Sequence, residues 1–314
     1  MNRPLIALLP LLIALGMGVP GCGQGDDWKT LNDTVELLYQ QGEYDRAIVV
    51  AKKALEVAEQ AKGPNHPSVA TSLNNLAELY RTQGQYAQAE PLHKRSLAIR
   101  EKALGRDHPD VAQSMNNLAF LYKTKGQYAK AEPLYKRSLA IDEKAYGPNH
   151  PGVATDLNNL AALYQTQGEY AQAEPLYNRS LAIRETALGP DHPDVAQSMN
   201  NLAFLYKTKG QYAQAEPLYK RSLAIDEKAY GPNHPDVATD LNNIAALYGA
   251  QGQYAQAEPL YNRSLAIREK ALGPDHPDVA DSLENLALLY RATNRVEEAE
   301  VLEKRAAAIR AINR

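Results

Sequence analysis

Histidine is the residue type whose regular spacing first suggests chemistry in this sequence. Six histidines, each followed by proline, lie 42 residues apart, and these are His66, His108, His150, His192, His234 and His276. Imidazoles bind metal ions, but ligands that share one ion must converge on bonds of about 2 Å. Packing holds neighbouring helices about 8–10 Å apart, so equivalent residues of stacked repeats do not converge in this way. We therefore interpret these histidines as markers of helix entry in each link, and we expect no metal site.

Catalytic groups are not indicated elsewhere in the chain. The sequence contains no phosphate-binding P-loop, no GxSxG nucleophile elbow and no HExxH zinc motif. Serines such as Ser96 recur with the apolar pattern and lack a histidine and an acid placed as in a catalytic triad. We expect a protein that is not an enzyme and that needs no cofactor.

Cys22 is the single cysteine, which excludes a disulfide framework, a cysteine zinc site and an iron–sulfur cluster. It follows a basic start and an aliphatic stretch, which are the regions of an export signal over residues 1–21. Val19, Pro20 and Gly21 before it resemble the lipobox of bacterial lipoproteins, which implies a lipid on Cys22 as the new N-terminus. We expect an exported protein of the cell envelope that is anchored to a membrane through this lipid.

Two other fates of this N-terminus stay open. The chain could be exported and cut elsewhere, or the apolar stretch could stay as a membrane anchor. The anchor is the weaker alternative, because residues 4–21 are interrupted by Pro10 and Pro20, and a spanning helix needs about 20 apolar residues.

The composition limits the partner classes. The chain has 314 residues, of which 34 are basic and 37 acidic, for a net charge of −3. This balance gives no sign of a basic face for nucleic acid, so we expect no nucleic-acid partner. Nineteen tyrosines stand against two phenylalanines and one tryptophan, as expected when one short pattern is copied many times.

The copied pattern has a period of 42 residues and fills the exported chain, 22–314. It predicts seven repeats at about 21–62, 63–104, 105–146, 147–188, 189–230, 231–272 and 273–314. Within one repeat, Leu73, Leu76 and Tyr80 recur at helical spacing before Gly84, and Ala89 and its followers do so after it. Each repeat is therefore predicted to form two amphipathic helices that are joined by a short turn.

The order of Leu73, Leu76, Ala77, Tyr80, Gly84, Tyr86 and Ala89 resembles the tetratricopeptide repeat. The 42-residue length, with LNNLA, AEPLY and GPxHPxVA segments, resembles the repeats of kinesin light chains and related bacterial proteins. The resemblance implies an all-α, right-handed α-solenoid whose first helices line a concave groove that binds peptide segments of partners.

Charge alternates along one column of the repeats, through Arg100, Asp142, Arg184, Asp226 and Arg268. We expect this alternation to place opposite charges across each repeat interface and to fix the register of stacking. The working unit is then a pair of repeats, since residues 105–188 and 189–272 are nearly the same sequence.

Asparagine pairs in the first helices are the first candidates for the groove. Asparagine is a poor helix former, and its amide can pair with both backbone groups of an extended peptide. The second asparagine of each pair is the predicted contact: Asn75, Asn117, Asn159, Asn201, Asn243 and Asn285. The alternative is a ladder of amides that ties each helix to the next.

A broken basic line follows one turn later, at Arg81, Lys123, Lys207 and Arg291. It favours acidic segments of a partner. The alternative is that these cations lie at solvated helix ends, where they suit the negative C-terminal end of the helix dipole. Phe120 and Phe204 could be apolar anchors two repeats apart, or they could pack against the adjacent helix. We predict a scaffold that binds a protein or peptide. The alternative is a structural envelope protein that associates with itself through its repeats.

Overall fold

The computed structural model describes residues 27–312, which form fourteen α-helices and no strand. The helices are α1 (Trp28–Gln40), α2 (Tyr44–Lys62), α3 (Pro67–Thr82), α4 (Tyr86–Leu104), α5 (Pro109–Thr124), α6 (Tyr128–Tyr146), α7 (Pro151–Thr166), α8 (Tyr170–Leu188), α9 (Pro193–Thr208), α10 (Tyr212–Tyr230), α11 (Pro235–Ala250), α12 (Tyr254–Leu272), α13 (Pro277–Ala292) and α14 (Val296–Ile312). Each odd helix packs against the even helix that follows it. The predicted all-α solenoid of helix-turn-helix repeats is confirmed.

The histidine column caps the odd helices from α3 to α13. In each of these helices proline is the first residue, and the histidine before it lies in extended backbone. The Nδ1 atom of each histidine accepts the backbone N–H of the residue two positions on, at 3.0–3.2 Å. This bond satisfies one of the donors left open at a helix start. In the part of the chain that the structure describes, no three histidine, cysteine or acidic residues are grouped to hold a metal ion.

Glycines with positive φ end the helices. Gly63 has φ of 82° directly after α2, and Gly84 has φ of 74° two residues after α3. L-residues with a side chain rarely adopt this conformation, so glycine is favoured where the chain must leave a helix sharply. The turn positions predicted from the sequence are confirmed by this geometry.

The core lies between the helices of each repeat and between neighbouring repeats. Its columns are small or aliphatic, as Ala89 and Leu73 show, and large rings fill the space beside them. Tyr135, Tyr177 and Tyr219 are almost fully buried, and His93 occupies the equivalent place in the second repeat. The serine column also belongs to the core, because Ser96 Oγ donates to the carbonyl oxygen of Ala70 at 2.8 Å.

The members of this column do not pair with one another, so the predicted pairing within the column is wrong, although Asp110 and Asp194 of the following odd helices act electrostatically on Arg100 and Arg184. Arg100 donates to the Asp110 carbonyl oxygen at 2.9 Å and to Ser114 Oγ at 3.1 Å. Asp142 instead faces a second acid, Asp156, of the next odd helix. The same two arrangements recur at Arg184 with Ser198 and at Asp226 with Asp240. The physical reason is that each member contacts the odd helix that follows it. There, each arginine of the column meets a serine and each aspartate of the column meets an aspartate.

The ends of the solenoid differ from its middle. Trp28 packs on the first repeats, and its Nε1 donates to Ser72 Oγ at 2.8 Å. At the other end, Glu303 replaces the tyrosine of the even helices and binds Arg291. Over residues 27–312, the helices are all too short or too polar to cross a membrane.

Candidate functional site

The concave face is formed by the odd helices. Cα atoms of consecutive odd helices, such as α3 and α5 or α5 and α7, come within 8 Å of each other. Among the described residues, no two even helices approach one another that closely. A curved stack brings its inner elements together and separates its outer ones, so the odd helices lie on the inner surface. All predicted groove residues are carried by these helices or their ends.

The first asparagine of each pair ties its helix to the following repeat. Asn74 Nδ2 donates to Ser114 Oγ at 3.4 Å, and Asn158 Nδ2 donates to Ser198 Oγ at 3.3 Å. Asn116 donates to Ser138 Oγ at 2.9 Å and also to Asp156. These amides are buried or half-buried and act as a ladder between repeats.

The second asparagine of each pair is partly exposed, and its contacts divide the column into two groups. Asn75 donates to Asn32 at 2.9 Å, Asn243 to Asn200 at 3.4 Å and Asn285 to Asn242 at 3.0 Å. These three residues extend the ladder towards the preceding repeat. Asn117, Asn159 and Asn201 make no side-chain hydrogen bond within residues 27–312, and they remain the predicted peptide contacts.

A cationic and aromatic cluster lies one turn further along the same face. The Arg81 guanidinium carbon is 4.5 Å from the ring centre of Phe120, and Lys123 Nζ is 4.9 Å from it. Two repeats later, Lys207 Nζ lies 5.1 Å from the ring centre of Phe204. Cations placed over an aromatic face are attracted by the negative face of the ring. The structure thus brings the predicted basic line and the two phenylalanines together.

The lysines of this cluster differ from their close neighbours in having no acidic partner. Lys125 pairs with Glu90, and Lys209 pairs with Glu174 at 2.6 Å. Within the described chain, Lys123 and Lys207 form no ion pair. Burial, with a smaller contribution from the nearby charge of Arg81, lowers the pKa of Lys123 to about 8. Burial also lowers the pKa of Lys207.

The two ends of the basic line are neutralised within the chain. Arg81 pairs with Glu78 of the same helix. Arg291 forms two hydrogen bonds of 2.6 Å to Glu303 of α14. In the phenylalanine column, the last repeat carries Leu288, which is 65% exposed. The cationic character of the groove is therefore concentrated at its centre.

Sequence reasoning missed the buried acid pairs beside the groove. Burial raises the pKa of Asp156 to about 7, and the neighbouring carboxyl of Asp142 also raises it. Asp226 and Asp240 form the same arrangement two repeats later. The signal was present, because serine and aspartate alternate at positions 114, 156, 198, 240 and 282. The predicted lipidation site, Cys22, lies outside the described residues.

Comparison with solved structures identifies similar repeat proteins. The structure of BtubC (BKLC) from P. vanneervenii is 25% identical, with a TM-score of 0.56 over 74% of this chain and 91% of the other. The nearly identical TPR-like repeats of a Podosopora anserina protein of the kinesin light chain type are 31% identical, with a TM-score of 0.53 over 66% of this chain and 98% of the other.

A more distant likeness extends over more of the chain. A Rap protein complexed with competence and sporulation factor has a TM-score of 0.68 over 91% of this chain and 76% of its own, at 19% identity. At that identity the likeness is one of fold. A search of curated proteins returns no match.

The repeats also match a family pattern directly. The tetratricopeptide repeat profile matches residues 29–102, 75–144, 110–186, 157–228, 194–270 and 241–311. These overlapping matches extend through nearly all of the described helices, and the chain belongs to the tetratricopeptide repeat family.

Proposed function

We propose that this protein is a non-catalytic scaffold whose concave face binds an extended, acidic segment of a partner protein. The observation that carries the proposal is the pair of half-buried lysines, Lys123 and Lys207, which lie over phenylalanine rings without an acidic partner in the described chain. A cation that has lost part of its hydration is stabilised by an anion that the ligand brings. The phenylalanines beside the lysines offer apolar contact to the same segment.

The amides of the central repeats complete this binding surface. Asn117, Asn159 and Asn201 are partly exposed on three consecutive odd helices. Each amide has one group that donates and one that accepts hydrogen bonds, which matches the backbone of an extended chain. The structure of a Rap protein of similar fold holds competence and sporulation factor, which supports a binding role for such a solenoid but does not identify this protein's ligand.

The proposal includes a tether to a membrane of the cell envelope through a lipid on Cys22. Its support is the lipobox-like segment Val19–Pro20–Gly21–Cys22 after an apolar stretch. Several acyl chains on one cysteine give stable anchoring, whereas a single chain gives only marginal binding. The partner would then be another component of the envelope.

Partner capture tests the groove directly. The full chain and a variant with Asn117→Ala, Asn159→Ala and Asn201→Ala are used as baits in envelope extract, and captured proteins are quantified by mass spectrometry. The control variant carries Asn178→Ala and Asn262→Ala, which are exposed asparagines on the even helices α8 and α12. We expect a partner that the parent and the control retain and the groove variant loses, with unchanged helix content. Equal capture by all three proteins would remove the groove assignment.

A further inference from the structure

The two ends of the solenoid touch each other. A Cβ atom placed on Gly42, in the α1–α2 loop, would lie 3.0 Å from Cδ2 and 3.2 Å from Nε2 of His276. It would also lie 3.2 Å from Cδ of Pro277. His276 and Pro277 start α13, six repeats further along the chain. At each equivalent turn glycine, Gly84, Gly126, Gly168, Gly210 and Gly252, nothing lies within 4 Å of such a Cβ atom.

Burial changes at both ends in the way such a contact requires. The His276 side chain is 4% exposed, whereas the equivalent His108 and His192 side chains are each 42% exposed. Gly42 is buried, and the five equivalent glycines are exposed or open to solvent. Tyr44 is buried at the start of α2, and its equivalents in the later even helices are only partly buried. Tyr44 also packs on Tyr39 of its own repeat, with ring centres 5.5 Å apart. The segment around His276, residues 273–280, is identical to that around His192, residues 189–196, so the burial of His276 arises from the opposite end of the chain.

An open cleft lies beside the contact. Its volume is about 410 Å³, and it is lined by residues 41–46 and Gln83 on one side and by residues 272–276 and Ile312 on the other. The α1–α2 loop and the α12–α13 link thus face each other across this space, and several residues of each contribute to its lining. The link that contains His276 has the same backbone role as the other five links, since His276 Nδ1 accepts from Asp278 N at 3.1 Å.

We propose that the α1–α2 loop and the α12–α13 link form an intramolecular latch that holds the seven repeats as one closed turn. The α1–α2 loop is thus the binding partner of the α12–α13 link within the same chain. The solenoid presents these two surfaces to each other at a fixed distance, and a tethered contact of this kind benefits from an effective concentration that reaches the millimolar range or above. A contact too small to hold two separate molecules together can close one molecule.

Closure has a consequence for the concave face. With the latch formed, the odd helices would surround the concave face through one full turn, and a ligand would enter from the two ends of that turn. The latch itself stands on the contacts of Gly42 and His276 and does not depend on the proposed binding function. Its test therefore needs no ligand.

The test measures the distance between the two ends in the full chain. Spin labels are attached to Lys52→Cys on α2 and Lys304→Cys on α14, both exposed, in a Cys22→Ser background. Pulsed electron resonance then gives the distribution of label distances. The disrupting variant is Gly42→Asn, and its matched control is Gly84→Asn, because the two glycines have φ of 75° and 74°. Asparagine tolerates this backbone conformation comparatively well, so the two variants carry the same backbone cost.

A second pair of variants guards against misfolding at Gly42. His276→Ala removes both a helix cap and the latch contact, whereas His192→Ala removes only the equivalent cap. We expect a narrow distribution for the parent, Gly84→Asn and His192→Ala, and a broader one at longer distance for Gly42→Asn and His276→Ala. Each of three results would overturn the latch: a broad distribution in the parent, no difference between a variant and its control, or loss of the parent's short distance on dilution with unlabelled chain. The last result would place the contact between copies.

Discussion

Buried aspartates set two of the repeat interfaces apart from the others. Asp156 Oδ1 accepts from Ser138 Oγ at 2.9 Å and from Asn116. The second oxygens of the pair, Asp142 Oδ1 and Asp156 Oδ2, are buried without a hydrogen-bond partner. Two carboxylates that share a buried site repel each other when both are ionised, so the pair favours keeping one proton.

The acid pairs predict that the protein loses stability as the pH rises. Burial raises the pKa of Asp156 from 3.8 to about 7, so the folded chain keeps a proton that the unfolded chain releases. Between those pH values, unfolding releases a proton, and the free energy of unfolding falls with rising pH. The neighbouring pair contributes in the same direction, because burial raises the pKa of Asp240 to about 6.

Asp156→Asn with Asp240→Asn tests this dependence. The amide oxygen can accept the bonds of Asp156 Oδ1, and the amide N–H groups face Asp142 without a second charge. We expect a flatter pH profile and a gain of about 1–3 kcal/mol in the free energy of unfolding at about pH 8. Urea unfolding followed by circular dichroism from about pH 5 to pH 8 measures it. Asp33→Asn, an exposed change on α1, is the control, and an equal gain there would contradict the interpretation.

The unpaired lysines of the groove predict a preference for acidic peptides. Fluorescent glutamate-rich and lysine-rich peptides of equal length are titrated against the full chain. We expect only the acidic peptide to bind, with affinity that falls as salt is added. Replacing Lys123 and Lys207 with alanine should weaken it about tenfold or more, since charge-assisted contacts contribute about 1.5–3 kcal/mol each.

Lys125→Ala with Lys209→Ala is the matched control for that experiment. It removes the same charge from positions two residues away, where Glu90 and Glu174 already pair with the lysines. If the peptide binds in the groove, we expect its affinity to fall much more when Lys123 and Lys207 are replaced than when Lys125 and Lys209 are replaced. Equal weakening by both would mean that the peptide responds only to overall charge.

At the scale of helices, the serine column fastens each even helix to its odd partner. Ser180 Oγ donates to the Ala154 carbonyl oxygen at 2.7 Å. Ser222 Oγ lies 3.1 Å from the Ala196 carbonyl oxygen and 3.0 Å from Asp240 Oδ1, so it serves the acid pair as well. The two serines occupy the same column in consecutive repeats and differ in two partners, because Ser222 Oγ also accepts from Asn200 Nδ2 at 2.8 Å.

We predict that Ser222→Ala destabilises its repeat more than Ser180→Ala does. Ser180→Ala removes one donor, from the Ala154 carbonyl oxygen. Ser222→Ala removes the single hydroxyl hydrogen that the Ala196 carbonyl oxygen and Asp240 share, and it also removes the oxygen that accepts from Asn200 Nδ2 at 2.8 Å. The difference should be about 1–2 kcal/mol, the cost of a further unsatisfied buried group. Hydrogen exchange, resolved by mass spectrometry, would show faster opening of α10 and α11 in Ser222→Ala. Equal opening in the two variants would mean that Asn200 alone suffices for Asp240.

Helix positions could be predicted from the sequence because local signals mark them. Histidine followed by proline marks the start of each odd helix from α3 onwards, and a glycine follows each helix from α1 to α12. These choices depend on backbone geometry within a few residues. The partners of the charged column could not be predicted in the same way. Periodicity shows that Arg100 and Asp142 are equivalent, but the side chain that faces each of them is fixed by the rotation of one helix on the next.

The groove was predictable as a face but not in its detail. The spacing of Lys123 and Phe120 on one helix turn predicted their proximity. The sequence did not show that Lys125, two residues away, would be paired with Glu90 while Lys123 would not. Such a difference depends on which residues of the preceding even helix come within reach, and that depends on how the repeats stack.

At the scale of the whole molecule, residues 27–312 fold as a chain of nearest-neighbour contacts with one exception. Each repeat contacts the repeats beside it, which makes stability a sum of local terms. The contact of Gly42 with His276 is the exception, and it joins the first repeat to the last. No pattern in the sequence predicts it, because it results from small rotations added over seven nearly equal repeats.

The proposed membrane tether concerns the whole chain and can be tested at Cys22. Cys22→Ser should release the protein from the membrane fraction, because the helices of residues 27–312 offer no membrane-spanning segment. The parent should take up an alkyne-labelled fatty acid during growth and stay with membranes at moderate salt, as multiple acyl chains require. A variant that replaces the neighbouring Gln24 with serine is the control for expression and export. If the parent is soluble and unlabelled, the chain is cut elsewhere. If Cys22→Ser stays bound after an alkaline wash, the apolar stretch before it is the anchor, and the lipid is not.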